Sequence, residues 1–166
     1  SSASISFTSG IDSTYKEYVF YFVNIHPQNA VFGFGFNGSI DSGSNYNVTK
    51  TTTWFSAYHN ENGTSGTLEY STSADLAQST DFQRLTGTVS NDNDQAFSGY
   101  LHLFNPSDTT FVKHFMSNVN YAYNTPGTES VRVAGYFNTT SAIDAIQFKM
   151  NTGNIDSGDI LLYGVN

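Results

Sequence analysis

The chain has 166 residues, of which 12% are charged and 16% aromatic, and its formal net charge is −8. Six Lys and Arg residues cannot build the clustered basic surface that nucleic acid or an anionic membrane requires. The absence of cysteine excludes disulfides, zinc fingers and thiol catalysis. We expect a single domain over residues 1–166, which, since it opens without Met, could be the ordered part of a slightly longer chain.

Strand-like runs separated by turn residues recur along the whole sequence. The run YVFYFVNI is apolar on both faces, as in a central strand of a sandwich. TLEY is a short strand-like run. The other runs, in chain order, are SISF, VFGFGFNG, TTTWFSAYH, FQRLTGTV, SGYLHLF, TFVKHFMSNVNYAY, VRVAGYF, IDAIQFKM and ILLYGV. The only candidate helix is a turn or two within residues 71–82.

This pattern is typical of an all-β fold. Phe and Tyr are abundant and favour strands, whereas the usual helix formers are scarce. About nine or ten strands at this spacing predict an antiparallel β-sandwich, and specifically a jelly roll. The last two runs predict a terminal hairpin, with Ile146, Phe148, Met150, Ile160 and Leu162 facing the core and Leu161, Tyr163 and Val165 facing a second sheet or a neighbouring subunit.

No motif indicates catalysis. There is no G-x-S-x-G nucleophile motif, and most acidic residues lie in predicted turns, where Asp serves local hydrogen bonding. Glu17 and Glu69 are the exceptions, and a glycosidase would need one of them to face a second carboxylate across a cleft. The chain is therefore predicted not to be an enzyme.

Two sets of residues are candidate metal ligands, the histidines and two loops rich in Asp and Asn. The four histidines, His26, His59, His102 and His114, lack the local spacing of a metal clamp. Two loops offer the oxygen ligands that calcium prefers, at Asp41 and Asn45 and at Asp92 and Asp94, but turn chemistry explains such loops equally well. No other cofactor is expected.

The aromatic residues allow two interpretations. Most must fill the core, because Leu and Ile are few. The others could form a subunit interface or a platform on which sugars stack, since both uses need a flat apolar face with a polar edge. The candidates for these roles are Trp54, Tyr58, Tyr70, Tyr100, Tyr121, Tyr123 and Tyr136.

Several stretches resemble a family of small structural proteins of tailed bacteriophages, especially marine ones. They are STYKEYVFYFVNIHP, DSGSNYNVTKTTTWFSAYH, LHLFNPSDTTFVKHF and GYFNTTSAIDAIQFKMNTGNIDSGDILLYG. The ending, an apolar strand followed by N-I-x-S/A-G and I-x-L-Y-G, recurs in that family. The resemblance spans about Ile5 to Gly164.

The resemblance implies a jelly-roll-like module on the surface of a virion, where it would decorate or cement the capsid or belong to a fibre or tail appendage. Its expected partners are other copies of the chain, in a homotrimer, and virion proteins such as the major capsid protein. The alternative is a carbohydrate-binding module that recognises host-surface glycans.

Overall fold

A computed structural model of the chain describes residues 1–123 and 126–166, with the backbone alone for residues 31 and 32. These residues form thirteen strands in two antiparallel sheets, which confirms the all-β sandwich. The described residues contain no helix, and therefore none long and apolar enough to cross a membrane. The strand count exceeds the prediction because several strands have only two residues, too few for a sequence pattern to reveal.

The smaller sheet has four strands in the order β1-β12-β4-β7. They are β1 (Ile5–Phe7), β4 (Phe34–Ser39), β7 (Gln83–Arg84) and β12 (Ala145–Met150). β12 lies at its centre, with Phe148 opposite Ile5 on one side and opposite Phe36 on the other.

The larger sheet has its seven main strands in the order β13-β2-β9-β10-β11-β5-β6, and two short strands extend it beside β10. The main strands are β2 (Glu17–Pro27), β5 (Lys50–Asn60), β6 (Gly66–Tyr70), β9 (Phe97–Phe104), β10 (Lys113–Tyr123), β11 (Gly127–Phe137) and β13 (Ile155–Val165). The short ones are β3 (Val31–Phe32) and β8 (Thr88–Val89).

The chain crosses several times between the two sheets. It passes from β1 in the smaller sheet to β2 in the larger, returns through β4, crosses to β5 and β6, and returns again at β7. The meander β9-β10-β11 then fills the middle of the larger sheet before β12 completes the smaller one. β13 is an addition at the edge beside β2.

Aromatic rings fill the space between the sheets. The Phe148 ring lies 5.2–6.3 Å, centroid to centroid, from five other phenylalanine rings, mostly edge to face. Those five are Phe7, Phe20, Phe22, Phe34 and Phe36. This is the geometry that aromatic quadrupoles favour, and it explains how a chain poor in Leu and Ile fills its core.

One end of the core is polar. Lys50 is fully buried, and its Nζ donates to Asn37 Oδ1 and to the Val48 carbonyl, each at 2.8 Å. Burial lowers the pKa of Lys50 to about 7, although the charge of Asp81 acts in the opposite direction. Lys113 is also buried and donates to the Phe111 and Thr139 carbonyls.

Two local predictions were wrong. Residues 71–82 form turns rather than a helix, because their backbone binds the edge of β5: Ser71 N–H donates to the Trp54 carbonyl and Leu76 N–H to Thr52 Oγ1. β12 and β13 do not form a hairpin but pair in different sheets, β13 with β2. The predicted faces are correct nonetheless, since Ile146, Phe148 and Met150 are buried, Ile160 and Leu162 pack on the core, and Leu161, Tyr163 and Val165 are exposed.

Candidate functional site

The outer face of the larger sheet, which points away from the smaller sheet, is rich in exposed apolar side chains. On β2 the residues Tyr18, Phe20 and Phe22 are core, so alternation places Tyr21 and Val23 on the outer face. The strand registers place other exposed apolar residues on the same face: Phe55, Leu68, Tyr70, Met116, Leu161, Tyr163 and Val165.

Part of this set is continuous across the strands. One row runs from Tyr163 through Val19, His102 and Met116 to Ala134, each residue opposite the next on the neighbouring strand. The Tyr21 ring contacts the Tyr163 ring at 5.8 Å and the Tyr100 ring at 6.4 Å. The exposed apolar residues of β13, β2 and β10 are thus neighbours, and those of β5 and β6 lie on the far side of Arg132.

A groove of about 350 Å³ lies on this face near one end of β9, β10, β11 and β5. Its walls include Phe104, His114, Met116, Ala134 and Tyr136. A second apolar hollow of about 560 Å³ adjoins it, where Phe111, 69% exposed, lies beyond Phe104 and His114. These depressions can receive side chains from a partner surface.

The outer face carries few charges. Glu17 is hydrogen-bonded to His102 Nδ1, so that carboxylate already has a partner. Arg132 is exposed at the centre of the sheet, between Asn118 and Phe55, and Asp159 lies at one end, opposite Val23. The acidic character of the chain is therefore concentrated elsewhere.

A separate polar cleft of about 270 Å³ lies on the opposite, inner face of the larger sheet, near β6. Its lining residues are Ser56, Tyr58, Thr67, Glu69, Tyr123 and Glu129, which we call the β5–β6 cleft. Glu129 is only 7% exposed and accepts a short hydrogen bond from Tyr121 Oη. Tyr121 Oη in turn accepts one from Gly87 N–H at 3.0 Å. Burial raises the pKa of Tyr121, and the bond to Glu129 raises it further.

The structure separates the predicted aromatic candidates into three groups. Trp54 and Tyr121 are 4% and 1% exposed, which corrects the expectation that they could be surface residues. Tyr100 and Tyr136 lie half-buried on the outer face, and Tyr70 is exposed at its edge. Tyr58 and Tyr123 line the β5–β6 cleft, with their rings 5.2 Å apart.

The two predicted calcium loops lie apart, at opposite ends of the smaller sheet. Asp41 follows Ser39, which pairs with Ala145, whereas the Asp92 carbonyl contacts His26 beyond the other end. The Asp41 carboxylate accepts bonds from Ser39 Oγ, Asn45 N–H and Asn45 Nδ2, and these bonds lower its pKa to about 2. Asp41 and Asn45 thus form a self-contained turn, while Asp94 lines a wide polar hollow with Asp156.

The histidines do not converge. His26 lies 3.7 Å from Asp156 and His102 contacts Glu17, whereas His59 and His114 are exposed on other strands. Among the described residues, no group of three or more His, Cys, Asp or Glu side chains could hold a metal ion.

The carboxylate that sequence reasoning missed is Glu129. It lies within the stretch NTPGTES, which the sequence predicts as a turn, whereas the structure places Glu129 in β11. Its burial depends on the pairing of β11 with β5 and β10. Of the two glutamates that the sequence singled out, Glu17 faces His102, and Glu69 shares the β5–β6 cleft with Glu129. Comparisons of the chain with protein-family models, curated proteins and solved structures find no match.

Proposed function

We propose that the chain is a non-enzymatic structural protein of a bacteriophage virion. It is displayed on the particle surface, as capsid decoration or cement or as part of a fibre or tail appendage. There it contacts other copies of itself and virion proteins such as the major capsid protein. The observation that carries this proposal is the exposed apolar outer face of the larger sheet.

The size of the outer face supports an interface. Nine of its apolar side chains are 38–76% exposed. For residues of about 150–250 Å² each, this leaves on the order of 900 Å² of surface. One side of a standard protein interface covers roughly 800 Å². The total exposed apolar area of the outer face is therefore as large as one side of an interface.

The charge distribution favours a second copy of the chain as the first partner. Two molecules of net charge −8 repel each other unless they meet through a nearly neutral surface. The outer face provides such a surface, since the charged side chains that its strands carry there are Glu17, Asp159 and Arg132, and its histidines are His59, His102 and His114. We propose a homotrimer, the arrangement that the phage resemblance implies.

The carbohydrate-binding alternative is less well supported. A sugar platform needs two or three coplanar rings in a groove, because each ring stacks on a sugar face. The tyrosine pairs cross steeply instead, at 67° for Tyr21–Tyr100, 74° for Tyr21–Tyr163 and 62° for Tyr58–Tyr123.

The experiment is light scattering on the wild type and two variants across a concentration series. Met116→Glu places a charge on the outer face at a residue that is 57% exposed, so folding should survive. Ile40→Glu makes the same change at a residue that is 47% exposed but lies off the sheet face. We expect trimers for the wild type and Ile40→Glu and monomers for Met116→Glu. A wild type that stays monomeric throughout, or equal dissociation of both variants, would refute the proposal.

A further inference from the structure

The sequence contains the dipeptide Asn-Gly twice, at Asn37-Gly38 and at Asn62-Gly63. In such a pair the backbone nitrogen of the glycine can attack the side-chain amide of the asparagine, because no glycine side chain hinders its approach. The structure places the two pairs in opposite surroundings. Asn37 lies in β4 and is fully buried, whereas Asn62 is exposed in the turn that joins β5 to β6.

The side chain of Asn62 is held in a way that activates it for this attack. Asn62 Oδ1 accepts hydrogen bonds from Thr64 N–H at 3.0 Å and from the Thr64 hydroxyl at 2.6 Å. Asn60 Nδ2 donates to Thr64 Oγ1 at 3.0 Å, so the hydroxyl hydrogen of Thr64 is directed at Asn62. Donors at a carbonyl oxygen stabilise the negative charge that develops there when a nucleophile adds to the carbon. The two donors of Thr64 therefore make Asn62 Cγ more reactive.

The turn also leaves room for the reaction. Gly63 has a φ of +73°, and apart from its chain neighbours no heavy atom of the described residues lies within 4 Å of the position of a Cβ. Gly63 N–H donates to the Asn60 carbonyl at 3.2 Å, longer than the usual value of about 2.9–3.0 Å. Among the described residues, the side-chain hydrogen bonds of Asn62 are both made by Oδ1, so Nδ2 can leave into solvent.

Asn37 also precedes a glycine but is protected. Its Nδ2 donates to the Tyr46 and Thr80 carbonyls at 2.8 and 2.9 Å, and its Oδ1 accepts a bond from Lys50 Nζ at 2.8 Å. Loss of Nδ2 would break both of its bonds in a site that is 0% exposed. Gly38 lies within β4, and pairing with β12 holds its backbone in a strand. The sequence thus marks both asparagines, and the fold selects Asn62.

We propose that Asn62 is a site of spontaneous deamidation in the folded protein, promoted by Thr64. Gly63 N loses its proton to hydroxide and attacks Asn62 Cγ, the Cγ–Nδ2 bond breaks, and Nδ2 takes a proton from water and leaves as ammonia. One water molecule then opens the succinimide ring. Opening at Cγ gives aspartate at position 62, and opening at the backbone carbonyl gives isoaspartate. Overall one water is consumed and one ammonia is released, with no oxidant or reductant.

The reaction changes one edge of the larger sheet. Either product adds one negative charge to a chain whose net charge is already −8, and isoaspartate also lengthens the backbone of the turn. The turn leads into β6, which carries Leu68 and Tyr70 of the outer face. Because the reaction depends only on contacts within the turn, it is independent of the proposed self-assembly.

The experiment follows both asparagines of the full chain by peptide mapping with mass spectrometry, and an isoaspartate methyltransferase assay detects isoaspartate. In the folded protein Asn62 should react about tenfold or more faster than Asn37, which must break two buried hydrogen bonds. The rate should rise with pH, because the attacking nitrogen must lose its proton. In guanidinium chloride the two sites should react at similar rates. Asn62 that reacts no faster than Asn37 in the folded protein, or Asn37 that stays protected in the unfolded chain, would overturn the proposal.

Two variants test the role of Thr64. Thr64→Val removes the hydroxyl and keeps the backbone N–H, so it should slow the reaction of Asn62 by about 2- to 10-fold, the worth of one hydrogen bond. Ser65→Ala removes a hydroxyl from the same exposed turn and should leave the rate unchanged, since Ser65 contacts Asn60 through its backbone. In guanidinium chloride both variants should react like the wild type. Thr64→Val that slows Asn62 no more than Ser65→Ala, or equally in the unfolded chain, would overturn the assignment.

Discussion

The buried amine of Lys50 should make the stability of the fold rise with pH. The pKa of Lys50 is about 7 in the folded protein, against 10.5 in the unfolded chain, because burial disfavours its charged form. Between these values the unfolded chain binds more protons than the folded one, so raising the pH favours folding. The stabilisation is absent below about pH 7 and complete above about pH 10.5.

The magnitude follows from the size of the shift. At about 1.4 kcal/mol per pKa unit, the whole shift corresponds to about 5 kcal/mol, of which about 2 kcal/mol appears between pH 7 and pH 9. Burial also lowers the pKa of Lys113, so Lys113 contributes in the same direction. The tyrosines with raised pKa values titrate only above this window.

The assay is urea unfolding at pH 7 and pH 9 for the wild type, Lys50→Met and Lys16→Met. Lys50→Met should be less stable, because Asn37 Oδ1 and the Val48 carbonyl lose a donor. It should also lose most of the pH dependence and keep only the smaller part due to Lys113. Lys16 is exposed, so Lys16→Met should keep the wild-type slope. A slope that is the same in Lys50→Met and the wild type would refute the assignment.

Two further predictions concern the core and the Asp41 turn. Phe148→Ala should lower the free energy of unfolding by about 3–5 kcal/mol, since it removes the ring on which five others pack; Phe111→Ala, at a residue 69% exposed, should change it by less than about 0.5 kcal/mol in the same urea assay. The Asp41 carboxyl should titrate near pH 2 when followed by NMR. Asn45→Ala should move its pKa part of the way back towards 3.8, because it removes the bond from Asn45 Nδ2 and keeps the bond from the backbone N–H; a midpoint already near 3.8 in the wild type would contradict the turn geometry.

The sequence predicted the fold class because its signals are local. The alternation of apolar residues on β12 identifies the residues that face the core, and it holds in the structure for Ile146, Phe148 and Met150. The pairing of strands is not local. β13 pairs with β2, so that Ile160 lies opposite Phe22, and no pattern within residues 143–165 distinguishes this from a hairpin.

The exposure of the candidate site residues likewise depends on contacts between distant parts of the chain. YVFYFVNI reads as a strand covered on both faces, and β2 is indeed central, but within one chain Tyr21 and Val23 remain exposed. The apolar pattern on both faces is thus confirmed, but within one chain only the inner face of β2 is covered along its whole length. Trp54 and Glu129 show the opposite error, because their burial depends on the loop over β5 and on the pairing of β10, β11 and β5, which connect distant parts of the chain.

The most direct test of the central claim, that copies of the chain bury the outer face against each other, uses the absence of cysteine. Met116→Cys and Ile40→Cys each introduce a single thiol, on and off the outer face respectively, and its alkylation rate reports its exposure. The account predicts slow alkylation at position 116 that becomes fast on dilution, and fast alkylation at position 40 at every concentration. Equally fast alkylation at both positions, independent of concentration, would contradict it.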